Sequence, residues 1–222
     1  FSRLNPFIKN QTPIIKGIGD LVKLGNVVNI DLTKPIDEQR TIFSKTTKRY
    51  LNKGRKSLEV KHSTKSDCIK EFVKLYYENM DRVNAKNKYY FSEEYFQKFI
   101  NSKDFETDVL FAIEKETNTI VSAAMMVKTN NIIQYHISGT KTEFLNLSPI
   151  RLLIDEMRIT GTQENYTFFN LGGGLGNEED ELFRFKSSFS KNFRSFEILK
   201  FITNNDVYDK LVAKKGIKEE TD

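Results

Sequence analysis

The chain has 222 residues, of which 38% are hydrophobic and 29% charged, the balance of an ordinary globular protein and not of a disordered one. Its 35 basic and 30 acidic side chains leave a net charge of +5, too modest on its own to mark a nucleic-acid binder. One cysteine, Cys68, and two histidines, His62 and His136, exclude a disulfide framework and a Cys/His zinc site within one chain. Apolar runs such as Val109-Leu110-Phe111-Ala112-Ile113 fall far short of the ~20 residues that cross a bilayer.

In chain order, "NVVNIDLTKP" from Asn26 reads as a strand: apolar residues alternate, β-branched side chains are enriched, and Pro35 stops it. Asp37 caps a helix through "IDEQRTIFSKTTKRYLNKG", with Ile42, Phe43, Tyr50 and Leu51 on one face and Gly54 at its end. A short strand, "SLEVKHS", follows. The next helix starts at Ser66 or Asp67 and spaces Ile69, Phe72, Val73, Tyr76 and Met80 for one face. Ser92 opens another, "SEEYFQKFINS", whose first-turn acids suit the helix dipole.

The period then changes. "TDVLFAIEKETNTIVSAAMMVKTNNIIQYHISGT" predicts three antiparallel strands joined by the polar turns "EKETNT" and "KTNN". A helix "PIRLLIDEMRITGTQEN", a strand "YTFFNL", a glycine-rich turn, a helix "EEDELFRFKSSF", a strand "SFEILKFIT" and a last helix closed by Gly216 complete the chain. The fold class is α+β: a mixed, largely antiparallel sheet flanked by helices. Residues 66–204 read as a complete domain. Residues 1–65 hold too little for a self-sufficient one and read as the C-terminal part of a truncated first domain, on which helix 205–216 is expected to pack. The start at Phe1, with no secretory signal, suits a fragment, and the cysteine usage suits a reducing cytosol.

Two stretches carry chemistry. Lys45, Lys48, Arg49, Lys53, Arg55 and Lys56 follow one another with no acid between them, a local field that favours phosphate, anionic lipid or RNA; the plain alternative is a solvated helix face. In "FNLGGGLGNEEDELFRFKSSFS" the glycines are not a P-loop, because no Lys-Ser/Thr follows Gly176 at the required spacing. Nor are they a dinucleotide turn, because acids come at once, where they would repel a pyrophosphate. Gly172, Gly173 and Gly174 supply positive φ at a strand exit, clearance for an extended substrate, or both.

That motif, together with "GNVVNIDLTKP", "KRYLNKGRKS", "FVKLYYENMDRVNAKNKYYFSEEYFQKF" and "IIQYHISGT", resembles the FemABX family, in order from about Gly25 to Ile202. Members are aminoacyltransferases that build peptidoglycan cross-bridges on two tandem domains of the GNAT acyltransferase fold. The resemblance implies a GNAT-like domain here, with the truncated one before it. It also implies transfer of an amino acid from aminoacyl-tRNA to an amine of a lipid-linked or nucleotide-linked muropeptide. On the Phe-Lys pair it implies catalytic roles for Phe185, through its backbone amide, and for Lys186, through its ammonium. A cation and an N–H near the reacting carbonyl would stabilise the charge that develops in acyl transfer. Lys186 read without the family is only a solvated helix residue.

Gly172, Gly173, Gly174, Tyr135, Arg82 and Tyr89 are the expected substrate-binding residues, Arg82 and Tyr89 because they precede the second helix in a loop that lines the family's substrate channel. No cofactor or metal is expected beyond the donor itself, and the six basic residues from Lys45 to Lys56 are available to tRNA. The expected location is cytoplasmic, with room for peripheral contact at the inner membrane face. Tyr135 and His136 are adjacent on one strand and should face opposite sides. The Gln/Arg-x-x-Gly-x-Gly/Ala loop of CoA-dependent relatives is missing from "GTKTEFLNLSPI". An acyl-CoA-dependent transferase of polysaccharide or envelope synthesis is the alternative reading, and a non-catalytic GNAT-like binding domain a third.

Overall fold

A computed structural model describes residues 1–8 and 10–216. By contacts it divides into two units, Phe1–Asn26 with the segment from Arg194, and Val27–Phe193. The boundary expected at residue 65 therefore falls at Asn26/Val27. Residues 27–65 belong to the larger unit because their strands and helices are bonded into it. No helix among the described residues is long and apolar enough to cross a membrane.

The smaller unit holds β1 (Ser2–Arg3), α1 (Gln11–Ile15), the start of β2 (Asp20–Asp31), most of β8 (Asn192–Lys200) and α8 (Asn205–Lys215). β1 pairs antiparallel with β8. Asn204 caps α8 by accepting from the Val207 N–H at 3.0 Å, and Gly216 ends it at φ +64°. Tyr208 of α8 lines a cavity with Phe1, Leu24, Ile198 and Phe201 of the same unit.

The larger unit contains α2 (Ile36–Thr41), α3 (Lys45–Ser57), β3 (Leu58–Ser63), α4 (Ile69–Arg82), α5 (Glu93–Ile100), β4 (Glu106–Glu114), β5 (Thr119–Thr129), β6 (Ile132–Thr140), α6 (Pro149–Gln163), β7 (Phe168–Gly172) and α7 (Glu181–Lys186). Its strands follow the order β2-β7-β6-β5-β4-β3, antiparallel except for β6 against β7. The α+β expectation and the three-strand meander are met. The single helix expected across residues 36–54 is two: Ser44 interrupts it, its hydroxyl accepting from the Thr47 N–H at 3.1 Å to cap α3. Gly54 does not end that helix but lies buried inside it, facing Leu152 and Leu58.

Alternation along the strands sorts apolar side chains onto two faces. One face carries Leu110, Ala112, Ala124, Met126, Ile133 and Phe169, covered by Leu51 of α3, Leu152, Leu153 and Met157 of α6, and Phe183 of α7. The other carries Val109, Phe111, Ala123 and Met125, covered by α4 and α5 through Phe72, Tyr76 and Phe96. Each Val, Leu, Ile, Phe or Met so buried contributes about 1.5–3 kcal/mol, and each alanine less. β6 bears a bulge: Met125 stands opposite Ile137 and Met126 opposite Tyr135, so His136 is the extra residue.

One polar cluster lies inside the first layer. Asp155 is fully buried and takes Arg158 on Oδ1 at 2.8 and 2.9 Å, and Arg55 on Oδ2 at 2.7 Å, with Arg40 at 3.5 Å. Arg158, 1% exposed, also donates to the Ile36 carbonyl and to Gln39 Oε1. The carboxylate thus joins α2, α3 and α6. Asp155→Ala leaves the Arg158 guanidinium buried without a counter-charge and is expected to lower unfolding free energy by about 3–5 kcal/mol. Urea denaturation checks this, and a loss under ~1 kcal/mol would remove the cluster from its structural role.

Candidate active site

The pairing of β6 with β7 lasts three residue pairs, Ile132↔Phe168 to Gln134↔Asn170. Beyond it β6 stays with β5 as far as Thr140, while β7 stays with β2 and ends at Gly172. Lys186 reaches this point from the last residue of α7, the helix that Asp180 caps through the Phe183 N–H at 2.8 Å. Its side chain is 7% exposed. Nζ donates to the Gly173 carbonyl at 2.7 Å and lies 5.9 Å from the centre of the Tyr135 ring. Arg184, two residues away, points to solvent as the helical turn requires.

No carboxylate pairs with Lys186 among the described residues. Burial pushes its ammonium down to about 8, against the opposing field of Asp180. Asp180 itself is held below the usual carboxylate range by the backbone N–H groups of Phe183 and Leu175. Tyr135 is pushed up to about 12 by burial, opposed by its hydrogen bond with Ser138 at 2.5 Å, and is therefore a neutral wall beside the ammonium.

Of the three glycines only Gly172 has the expected positive φ, and the structure shows a use for the missing side chains beside the expected clearance. Gly172 sits at φ +78°, where an L side chain is strained, and a Cβ there would stand 3.3 Å from Lys186 Nζ. A Cβ at Gly174 would stand 2.0 Å from the Glu178 carbonyl oxygen. The absent side chains make room for Lys186 and for the chain's own acidic turn. Gly173 contributes its carbonyl.

The remaining candidates separate. Phe185 lies within α7, where helical pairing commits its N–H to the Glu181 carbonyl. Its expected role as an amide donor to a substrate does not fit that geometry. Its ring instead packs 5.8 Å from Phe189 and carries the Arg151 guanidinium at 4.6 Å. Arg151 also lies over Tyr50 at 5.1 Å and donates to Ser148, with burial lowering its pKa.

Arg82 binds the Thr140 carbonyl at 2.8 Å and the side chain of Asn79, tying α4 to the far end of β6, about 16 Å of strand from Tyr135. Tyr89 gives its carbonyl to the Tyr76 hydroxyl and leaves its ring exposed. Neither is brought to Lys186. Of the basic residues, Arg55 is held by Asp155 and Glu156, and Lys48 donates to the Thr41 carbonyl at 2.8 Å. Lys45, Arg49, Lys53 and Lys56 are exposed along one side of α3. Sequence reasoning missed Gln134 and Asn170, the last pair before the strands part.

His136 faces away from Tyr135, as expected, and stacks on Phe99 at 4.6 Å with Nε2 3.1 Å from the Tyr95 hydroxyl. Burial lowers it to about 4 from 6.5, so it is neutral at pH 7. A histidine whose native pKa is depressed gives stability that is whole above the unfolded value and is lost as pH falls from about 6.5 to about 4. Thermal scans of wild type should show this loss, and His136→Phe should flatten it; equal slopes would assign the acid sensitivity elsewhere.

Lys186 obeys the same sign of linkage in a higher pH window. Below about 8 the native state bears the full cost of a buried ammonium; between about 8 and 10.5 the unfolded chain binds more protons, and stability rises with pH. Lys186→Met should therefore raise Tm at pH 7, by removing about 3 kcal/mol of desolvation less one hydrogen bond, and lose that advantage by pH 10. A lower Tm at pH 7 would make the amine a structural tether.

Residues 101–196 match the FemAB family. No curated protein matches the sequence. Among solved structures, FemX aligns with TM-score 0.72 at 12% identity, covering 91% of this chain and 71% of that one. The C-terminal domain of a putative lysylphosphatidylglycerol synthetase from Agrobacterium fabrum aligns at 0.63 and 14%, covering 94% and 71%; L-PGS from Bacillus licheniformis aligns at 0.63 and 14%, covering 93% and 69%. These likenesses speak for the fold. The matched segment runs from the end of α5 through the meander, α6, β7 and the Lys186 helix into β8, so the FemAB family model, which describes a family of transferases, spans the elements that build the Lys186 site.

Proposed function

We propose that the protein transfers an aminoacyl group from the ester of aminoacyl-tRNA to an amine of a peptidoglycan precursor, with Lys186 as the catalytic cation. The observation that carries this reading is a buried ammonium held by a carbonyl, with no carboxylate partner among the described residues, at the point where two strands part. The amine nitrogen attacks the ester carbonyl, the C–O bond to the ribose breaks, and the proton lost by the amine ends on the departing ribose oxygen. Negative charge develops first on the carbonyl oxygen and then on that leaving oxygen. A desolvated cation interacts with such charge far more strongly than one in water. The Tyr135 ring supports the reading by walling the ammonium without neutralising it.

The family match favours aminoacyl over acyl-CoA chemistry, and the absence of a glycine-rich loop before α6 agrees with it. Lys45, Arg49, Lys53 and Lys56 offer the exposed charge a tRNA would meet, at a cytoplasmic face.

Transfer should be assayed with charged tRNA and with acetyl-CoA as donors, and with a muropeptide precursor and phosphatidylglycerol vesicles as acceptors. Lys186→Met should cut turnover about 10²–10³-fold, the scale of losing one oxyanion donor. Lys186→Arg should recover part of it by keeping the charge. The rate should fall as pH rises through about 8, where the ammonium loses its proton. A pH profile unchanged in Lys186→Arg, whose charge does not titrate in this range, would remove Lys186 from the dependence, and exclusive use of acetyl-CoA would overturn the donor.

A further inference from the structure

The side chains of the last β6–β7 pair, Gln134 and Asn170, form a connected chain of hydrogen bonds. Asn170 Oδ1 accepts from the Gly172 N–H at 2.9 Å, which fixes the orientation of its amide and turns Nδ2 toward Gln134 Oε1 at 2.6 Å. Gln134 Nε2 is then left to donate to the Tyr135 carbonyl at 2.9 Å. The backbones of the two strands are thereby joined through side chains just where the main-chain ladder stops. Asn170 is 7% exposed, so these bonds form out of water, where an unmet polar group is costly.

This chain of bonds runs beside Lys186. A Cβ built on Gly172 would stand 3.3 Å from Nζ and 3.9 Å from Gln134 Nε2, the next carbonyl along is the one the ammonium holds, and the Tyr135 ring centre lies 5.9 Å from Nζ. We propose that Asn170 and Gln134 are positioning residues: their amides clamp the Gly172–Gly173 turn and the Tyr135 backbone, so that the Gly173 carbonyl fixes the Lys186 ammonium between the parted strands. Neither touches the reacting atoms; each acts through the turn. The assignment deepens the reading of Lys186 as the catalytic cation, and rests on that reading only for the reaction served.

Few charges compete for control of the ammonium. Asp180 faces it from the α7 cap and Tyr135 from β6; β7 has no titratable side chain, and Arg151 of α6 lies at the Phe185 ring. The Lys186 titration is therefore a direct report of where the ammonium sits. It can be followed by NMR in protein labelled with ¹³Cε-lysine, the resonance being assigned by its absence from Lys186→Met.

Asn170→Ala frees the turn and lets water reach the ammonium, and the titration should move up by about one unit or more toward the ordinary lysine range. Asn170→Asp keeps the acceptor for the Gly172 N–H, and Gln134 can turn its amide to meet the carboxylate. The titration should again rise by about one unit, now from the added negative charge. Gln134→Ala, which removes the amide that holds Asn170, carries the same readout if Asn170→Ala does not fold. A folded Asn170→Ala or Gln134→Ala protein whose Lys186 titrates within about 0.3 units of wild type would overturn the clamp. The titration needs no substrate. A clear shift in a protein inactive toward every donor tried would uphold the clamp and remove only the reaction assigned to it.

Discussion

The parting of β6 from β7 is the constraint on which the site depends. β6 is bound along its other edge to β5 as far as Thr140 and carries an extra residue at His136, while β7 is bound to β2 and ends at Gly172. The β6–β7 ladder stops at Gln134↔Asn170, just before the extra residue that breaks the regular register of β6. Once the strands separate, main-chain groups in the interior need other partners. Gln134 meets the Tyr135 carbonyl, Asn170 meets the Gly172 N–H, and Lys186 meets the Gly173 carbonyl. The site is therefore a repair of the sheet as much as an addition to it.

The helices around it are held by a different kind of interaction. Asp155 draws Arg55, Arg40 and Arg158 toward one buried carboxylate, fixing α2 and α3 on α6. The joint between α2 and α3 is tied to the chain just beyond Lys186: the Ser44 N–H donates to the Ser188 carbonyl at 2.9 Å, and the hydroxyls of Thr47 and Ser188 lie 2.7 Å apart. The basic helix and the lysine helix thus share a fixed corner. Arg55 stays partly exposed but is paired with Asp155 and Glu156, so its charge is met in part within the chain.

Much of this was legible from residue patterns. The meander, α6, and the strand–turn–helix leading to Lys186 follow from alternation, helical spacing and caps. Errors arose where a local signal was outweighed by packing. Gly54 looked like a helix end, yet it is buried against Leu58 and Leu152, and α3 continues to Ser57. Ile42 and Phe43 fitted the face of one long helix, and Ser44 broke it. The role expected of the Phe185 amide presumed a free N–H, which a residue inside a helical turn lacks. Arg82 and Tyr89 lie near the site's strands in sequence order but serve the α4 side. Gln134 and Asn170 could not be singled out because their value comes from register: two amides distant in sequence matter only once β6 and β7 are known to pair, and where that pairing stops.

The partner of Lys186 is a carbonyl, and that has an electrical consequence. A carboxylate at the same place would have formed an ion pair, whose field outside the pair is that of two opposed charges. The Gly173 carbonyl holds the ammonium with a dipole instead. A dipole's potential falls away more steeply with distance than that of a whole charge, so the positive pole at Lys186 stays nearly undiminished for whatever negative charge forms beside it.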